Sequence, residues 1–156
     1  MFKLKVAQAH CDIPCKIYDP HMAQLAAMSV IRILHLIQEI SGANLTPAGI
    51  SRISRLATEK EKEAQTVKSE VVIIWGDYFK EPQIKFFPKI HELVHSIMLS
   101  ASKCKQELDV KNGLDLLNLL NQFSEIFWES KGFETELVKA PYPPSLGMTK
   151  PILDNV

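Results

Sequence analysis

Val71-Val72-Ile73-Ile74-Trp75 is the stretch on which the fold turns. Taken alone, its four consecutive β-branched residues read as a strand. The positions on either side argue for a helix. Ile50, Ile53, Ala57, Ala64, Val67, Val71, Ile74 and Tyr78 recur at helical spacing and draw one apolar stripe along a single long element. Lys60, Glu61, Lys62 and Lys68 mark its charged opposite face. Thr46-Pro47 opens this helix as cap and first-turn proline, and Glu81-Pro82 breaks it.

Three further amphipathic runs complete the pattern. Asp19-Pro20 starts the first, which carries Leu25, Met28, Ile31, Leu34 and Ile37 and stops at Ser41-Gly42. Pro88 opens another, with Ile90, Val94, Ile97 and Ala101. A polar break spans Asp109 to Gly113. The last run extends from about Leu114 to Ser130 through Leu116, Leu117, Leu120, Phe123 and Phe127, and Lys131-Gly132 ends it. Four helices with short connections predict an all-α fold, an antiparallel four-helix bundle. After Gly132, Pro141, Pro143, Pro144 and Pro151 mark an extended or disordered tail over residues 133–156.

With 156 residues, the chain is the size of one domain with a real core. Its formal net charge is zero, so neither a nucleic-acid partner nor a membrane surface is expected. The uninterrupted apolar runs are too short to span a bilayer. Three cysteines do not make a disulfide framework. Cys104 stands alone and reads as a structural or surface thiol, whereas Cys11 and Cys15 lie close together near the N-terminus. The nine residues before His10 end in Ala7-Gln8-Ala9, a small-x-small pattern like that of a cleavage site, without the apolar centre of a secretory signal. Processing for a purpose other than export is one reading, and an unprocessed N-terminus is the other. The expected location is cytoplasmic.

Freed as an N-terminus, His10 offers an amine nitrogen and an imidazole. Cys11 offers a thiolate and a backbone amide nitrogen, and Cys15 a second thiolate. Amine, amidate and two thiolates can share a plane around a metal, with the imidazole approaching along the axis. Such tetragonal geometry suits nickel or copper rather than zinc. Pro14 helps turn the chain between the two thiols. With residues 1–9 attached, the His10 nitrogen is an amide and a poor ligand, so the leader withholds the site. Cys-x-x-x-Cys by itself reads more readily as an ordinary thiol pair or as ligands for adventitious zinc.

A second motif competes. His91-Glu92-Leu93-Val94-His95 matches His-Glu-x-x-His, in which two histidines one helical turn apart bind zinc and the glutamate acts as general base. A small zinc metallohydrolase is therefore the rival function. Ser96 to Ala101 lack the glycine and third histidine that extend this motif in one protease class.

The longer string His10-Cys11-Asp12-Ile13-Pro14-Cys15-x-x-Tyr18-Asp19-Pro20 resembles the hook of the nickel-containing superoxide dismutases. Trp75-Gly76-Asp77-Tyr78-Phe79-Lys80 is similar to a second family segment, Ile126-Phe127-Trp128-Glu129 to a third, and Phe87-Pro88-x-x-His91-x-Leu93-Val94 to one with no zinc role. The resemblance covers roughly residues 10–131. It implies a four-helix-bundle domain over 10–132, a propeptide over 1–9 removed by a dedicated protease, a homohexamer, and one nickel ion per subunit acting on superoxide. It implies that His10, Cys11 and Cys15 ligate nickel and that Tyr18 stands beside the open face. Asp12 would hold the shape of the hook, and Lys80 would lock it at a subunit interface and favour an anionic substrate. Lys16 stands where the family commonly has glycine, and Ala26 and Glu63 stand where members hold the axial imidazole with Glu and Arg. Glu63 is then expected to supply a carboxylate instead.

Overall fold

The computed structural model describes residues 17–42 and 45–153. Among them, α1 is His21–Ser41, α2 Pro47–Asp77, α3 Glu81–Phe86, α4 Ile90–Gln106 and α5 Val110–Glu129, followed by β1 Thr135–Lys139 and β2 Gly147–Pro151. The four long helices make the bundle. The β-branched stretch 71–74 lies inside α2, with Val71 and Ile74 buried. Burial of its apolar stripe outweighs the small helix penalty of β-branched residues.

The helix ends follow local chemistry. Asp19 accepts from the His21 N–H at 2.8 Å, and α1 begins at His21, one residue later than the sequence places it. Thr46 accepts from Gly49 N–H at 3.1 Å, with Pro47 in the first turn. The polar break after α4 is shorter than the sequence suggests: Asp109 accepts from Lys111 N–H at 2.9 Å and starts α5 at Val110. Gly113 therefore lies inside α5, facing α1. A Cβ there would come within 2.7 Å of Ile31 Cγ1, so this glycine sets how closely the two helices approach. The residues after α2 are not simply a break, because α3 forms there around Pro82. Gly132, at φ +84°, ends the turn after α5 in the left-handed conformation.

The core is drawn from every long helix, with Ile31, Val67, Ile97, Leu120 and Phe123 fully buried. Although its uninterrupted apolar runs are short, α1 is long and apolar enough, by length and composition alone, to cross a bilayer. Over half of that stretch is buried in the bundle.

Lys60 overturns the charged-face reading. It is 2% exposed, and its ammonium reaches the carbonyls of Cys104, Lys105 and Glu107 at the end of α4. Cys104 is fully buried beside it. Burial pushes the thiol from 9.0 up to about 11, with Lys60 opposing. The folded chain thus keeps a proton that the unfolded chain releases. This stabilisation is full below pH 9 and is lost as pH rises toward 11, a difference of about 2–3 kcal/mol. Cys104→Ala is expected to flatten that alkaline loss, as read from urea midpoints at pH 8 and pH 10.5.

The C-terminal segment is extended, and it is also paired and docked. β1 and β2 form an antiparallel hairpin with Glu136 opposite Lys150 and Leu137 opposite Thr149. Three polar side chains of the bundle fix it through its backbone groups. The Gln24 amide donates to Asn121 Oδ1 at 2.9 Å and to the Thr149 carbonyl at 3.1 Å. Ser124 donates to the same carbonyl at 3.1 Å. Asn121 accepts from Thr149 N–H at 3.0 Å and donates to the Gly147 carbonyl, also at 3.0 Å. Pro141, Pro143 and Pro144 fall in the connection and Pro151 at a strand end, where no ladder N–H is required.

Candidate metal centre

The hook residues His10, Cys11, Asp12 and Cys15, together with Lys16, lie outside the described residues. The structure does describe the residues that follow them in the chain and what those pack against. Tyr18, half-buried, packs on the core, with its ring 6.2 Å from that of Tyr78 at the end of α2. Tyr78 continues into an aromatic cluster, edge-on to Phe79 at 5.2 Å and to Phe127 at 4.9 Å. Its hydroxyl shares a 2.8 Å hydrogen bond with Ser130. The Lys131 ammonium lies 5.2 Å from the Tyr78 ring centre and 4.9 Å from that of Phe127, within cation–π range. Two of the blocks singled out in the sequence, 75–80 and 126–129, thus meet beneath Tyr18.

Lys80 is exposed and its ammonium donates to the Gly76 carbonyl at 2.7 Å, covering the C-terminal end of α2. That contact holds a positive charge just past Tyr78. A recess at the root of the hook is lined by Asp19, His21, Gln24, Trp128, Thr149 and Lys150. The hairpin therefore reaches the start of α1 beside Asp19 and His21, which the sequence reading missed. The available signal was Thr135-Glu136-Leu137-Val138-Lys139, a strand-like run masked by the prolines after it.

Ala26 is 3% exposed in the core and carries no donor. Glu63 lines a groove with Leu25, Met28, Arg32 and Tyr142, about two turns of α1 beyond the root.

The rival zinc motif lies on the first turns of α4, with His91 and His95 both exposed. His91 Nδ1 already accepts from Trp75 Nε1–H at 2.9 Å, and the two rings meet edge-on at 5.7 Å. No group of three potential metal-ligating side chains occurs among the described residues. His91 thus joins α4 to α2. His95→Ala is expected to leave nickel content and dismutation within about twofold of the unaltered chain, because it is a surface change. His91→Ala should alter Trp75 fluorescence while leaving nickel content unchanged.

With His10 as the N-terminus, residues 10–15 would offer one amine, one amidate, two thiolates and one imidazole, a donor set that fits nickel on chemical grounds. Comparison with known proteins agrees. A family model described as nickel-containing superoxide dismutase matches residues 5–131. The superoxide dismutase [Ni] of Streptomyces coelicolor is 36% identical over 132 residues, covering 84% of this chain and 95% of the relative. That of Streptomyces seoulensis is 36% identical over 129 residues, covering 83% and 92%. The native 1.30 Å structure of a nickel superoxide dismutase superposes with a TM-score of 0.68 at 34% identity, covering 78% of this chain and 99% of that one. A structure of the oxidised nickel-ligation state gives 0.70 at 32% identity. The hairpin lies beyond the matched residues. The zinc metallohydrolase reading finds no support, and the chain belongs to the nickel-containing superoxide dismutase family.

Proposed function

We propose that this chain becomes an active dismutase when cleavage before His10 frees the amine that completes its nickel site. The supporting observation is the donor string His10-Cys11-Asp12-Ile13-Pro14-Cys15, which runs into a root packed on the Tyr78 platform. His10, Cys11 and Cys15 hold one nickel ion per subunit. Nickel held there would supply a one-electron couple between its divalent and trivalent states, the chemistry needed for two superoxides and two protons to yield dioxygen and hydrogen peroxide.

The remaining roles belong to the protein. The thiolates of Cys11 and Cys15 must be deprotonated to bind, so loading falls at low pH. Asp12 keeps the hook in shape. Tyr18, with its ring held against Tyr78, limits what reaches the open face. Lys80, fixed over the end of α2, raises the local concentration of an anionic substrate. Assembly as a homohexamer, removal of residues 1–9 by a dedicated protease and a cytoplasmic location belong to the same reading. It includes no nucleic-acid or membrane partner.

The test is the mass and metal content of the protein purified after co-expression with its processing protease. A chain beginning at His10 with about one nickel is expected. An intact Met1 with a full complement of nickel would overturn the need for the freed amine.

A further inference from the structure

The hairpin has two edges, and among the described residues only one is in use. Ala140 N–H donates to the Leu146 carbonyl at 2.9 Å and Ile152 N–H to the Glu134 carbonyl at 2.8 Å. In an antiparallel pair the bonded positions alternate, so Glu136 and Val138 bond inward to β2 while Thr135, Leu137 and Lys139 present their backbone groups outward. The corresponding outward groups of β2, on Gly147 and Thr149, are taken by Asn121, Gln24 and Ser124. The outer edge of β1 has no strand beside it among the described residues.

The two sides of that edge differ in character. Glu134 and Glu136 lie on one side with Val138, and Leu137, 67% exposed, lies on the other with Thr135 and Lys139. The leader carries the complementary pattern. Phe2, Leu4 and Val6 alternate with Lys3 and Lys5, which gives a strand one apolar and one basic side. Aligning the apolar sides places both lysines on the glutamate side.

We propose that residues 2–6 of the uncleaved chain add to the outer edge of β1 as a third strand, the leader and the C-terminal extension thereby binding each other. The chain is long enough. The recess at Asp19 and His21 is also lined by Lys150 and Pro151, and Pro151 pairs with Thr135. A third strand lies only about 5 Å beyond β1, whereas the ten residues 7–16 extend to about 33 Å. Docking fixes the leader at one end and the root at the other, so the Ala9–His10 bond falls in the span between two anchors. Once that bond is cut, a five-residue edge strand is too short to remain bound on its own. The docking concerns the uncleaved chain, so it holds or fails independently of the cleavage position.

Amide hydrogen exchange on the uncleaved, full-length chain tests this. Leu137 and Lys139 amides are expected to exchange about tenfold slower than in the full-length K3E/K5E variant, whose leader charges repel Glu134 and Glu136. Those substitutions lie outside the described residues, and equal melting temperatures would show that the bundle is unaffected. Equal exchange rates in the two chains would overturn the proposal. So would protection that increases with protein concentration, which assigns the edge to a second copy. The intact mass of each sample, read alongside, distinguishes failed docking from altered cleavage.

Discussion

Serine at Cys11 or Cys15 is expected to remove nickel and abolish dismutation while leaving the bundle folded. A serine hydroxyl stays protonated at neutral pH and is a hard donor, whereas the site depends on soft thiolates. The loss of affinity should exceed about 100-fold, the upper range for residues that merely support a ligand. The melting temperature should change little, because the described core is built from residues of the helices and the hairpin. His10→Ala gives a graded result: once cleaved, the new N-terminus still supplies an amine, so nickel is retained and only the axial imidazole is lost. Metal analysis and superoxide decay on the same samples distinguish these outcomes. A Cys15→Ser chain with full nickel would show that the second thiolate is not a ligand.

Lys60→Met is expected to produce the largest stability loss of any lysine substitution in the described bundle. The last carbonyls of a helix have no partner within it. Here the Cys104, Lys105 and Glu107 carbonyls all converge on the Lys60 ammonium, the latter two at 2.9 Å. Burial pushes that ammonium below 10.5, partly offset by Glu61. The position is nonetheless favourable, because the C-terminal end of a helix attracts positive charge. Methionine fills the space and leaves the carbonyls without a donor, at about 3 kcal/mol, or roughly 6–12 °C in melting temperature for a chain of this size. Lys62→Met is the control. The Lys62 side chain is 70% exposed, and its pairing with Glu59 at 3.2 Å contributes less than about 1 kcal/mol. Equal melting temperatures for the two variants would show that Lys60 does not tie α2 to α4.

The bundle could be read from the sequence because burial imposes a period. Val71 and Ile74 fit the stripe, and the stripe outweighed their preference for strands. Lys60 was misread for the same reason. Periodicity locates a charged residue on a helix but does not show that a neighbouring helix ends beside it with unpaired carbonyls. The hairpin was hidden because its prolines suggested disorder. What holds it in place is a set of polar groups on Gln24, Asn121 and Ser124, each unremarkable on its own helix. The proposed metal site was read in another way: donor chemistry says what His10, Cys11 and Cys15 can offer a metal, and their assignment as ligands follows from the longer resemblance through Pro20, on residues outside those described. The platform under Tyr18 required the fold, since residues 78, 127 and 131 meet only when α2 and α5 pack.

The most direct test of the central claim is nickel X-ray absorption on the processed, metal-loaded chain. Two sulfur and two nitrogen neighbours in a plane, with a further nitrogen that disappears in His10→Ala, are the predicted result. A nickel coordinated only by nitrogen and oxygen would contradict it.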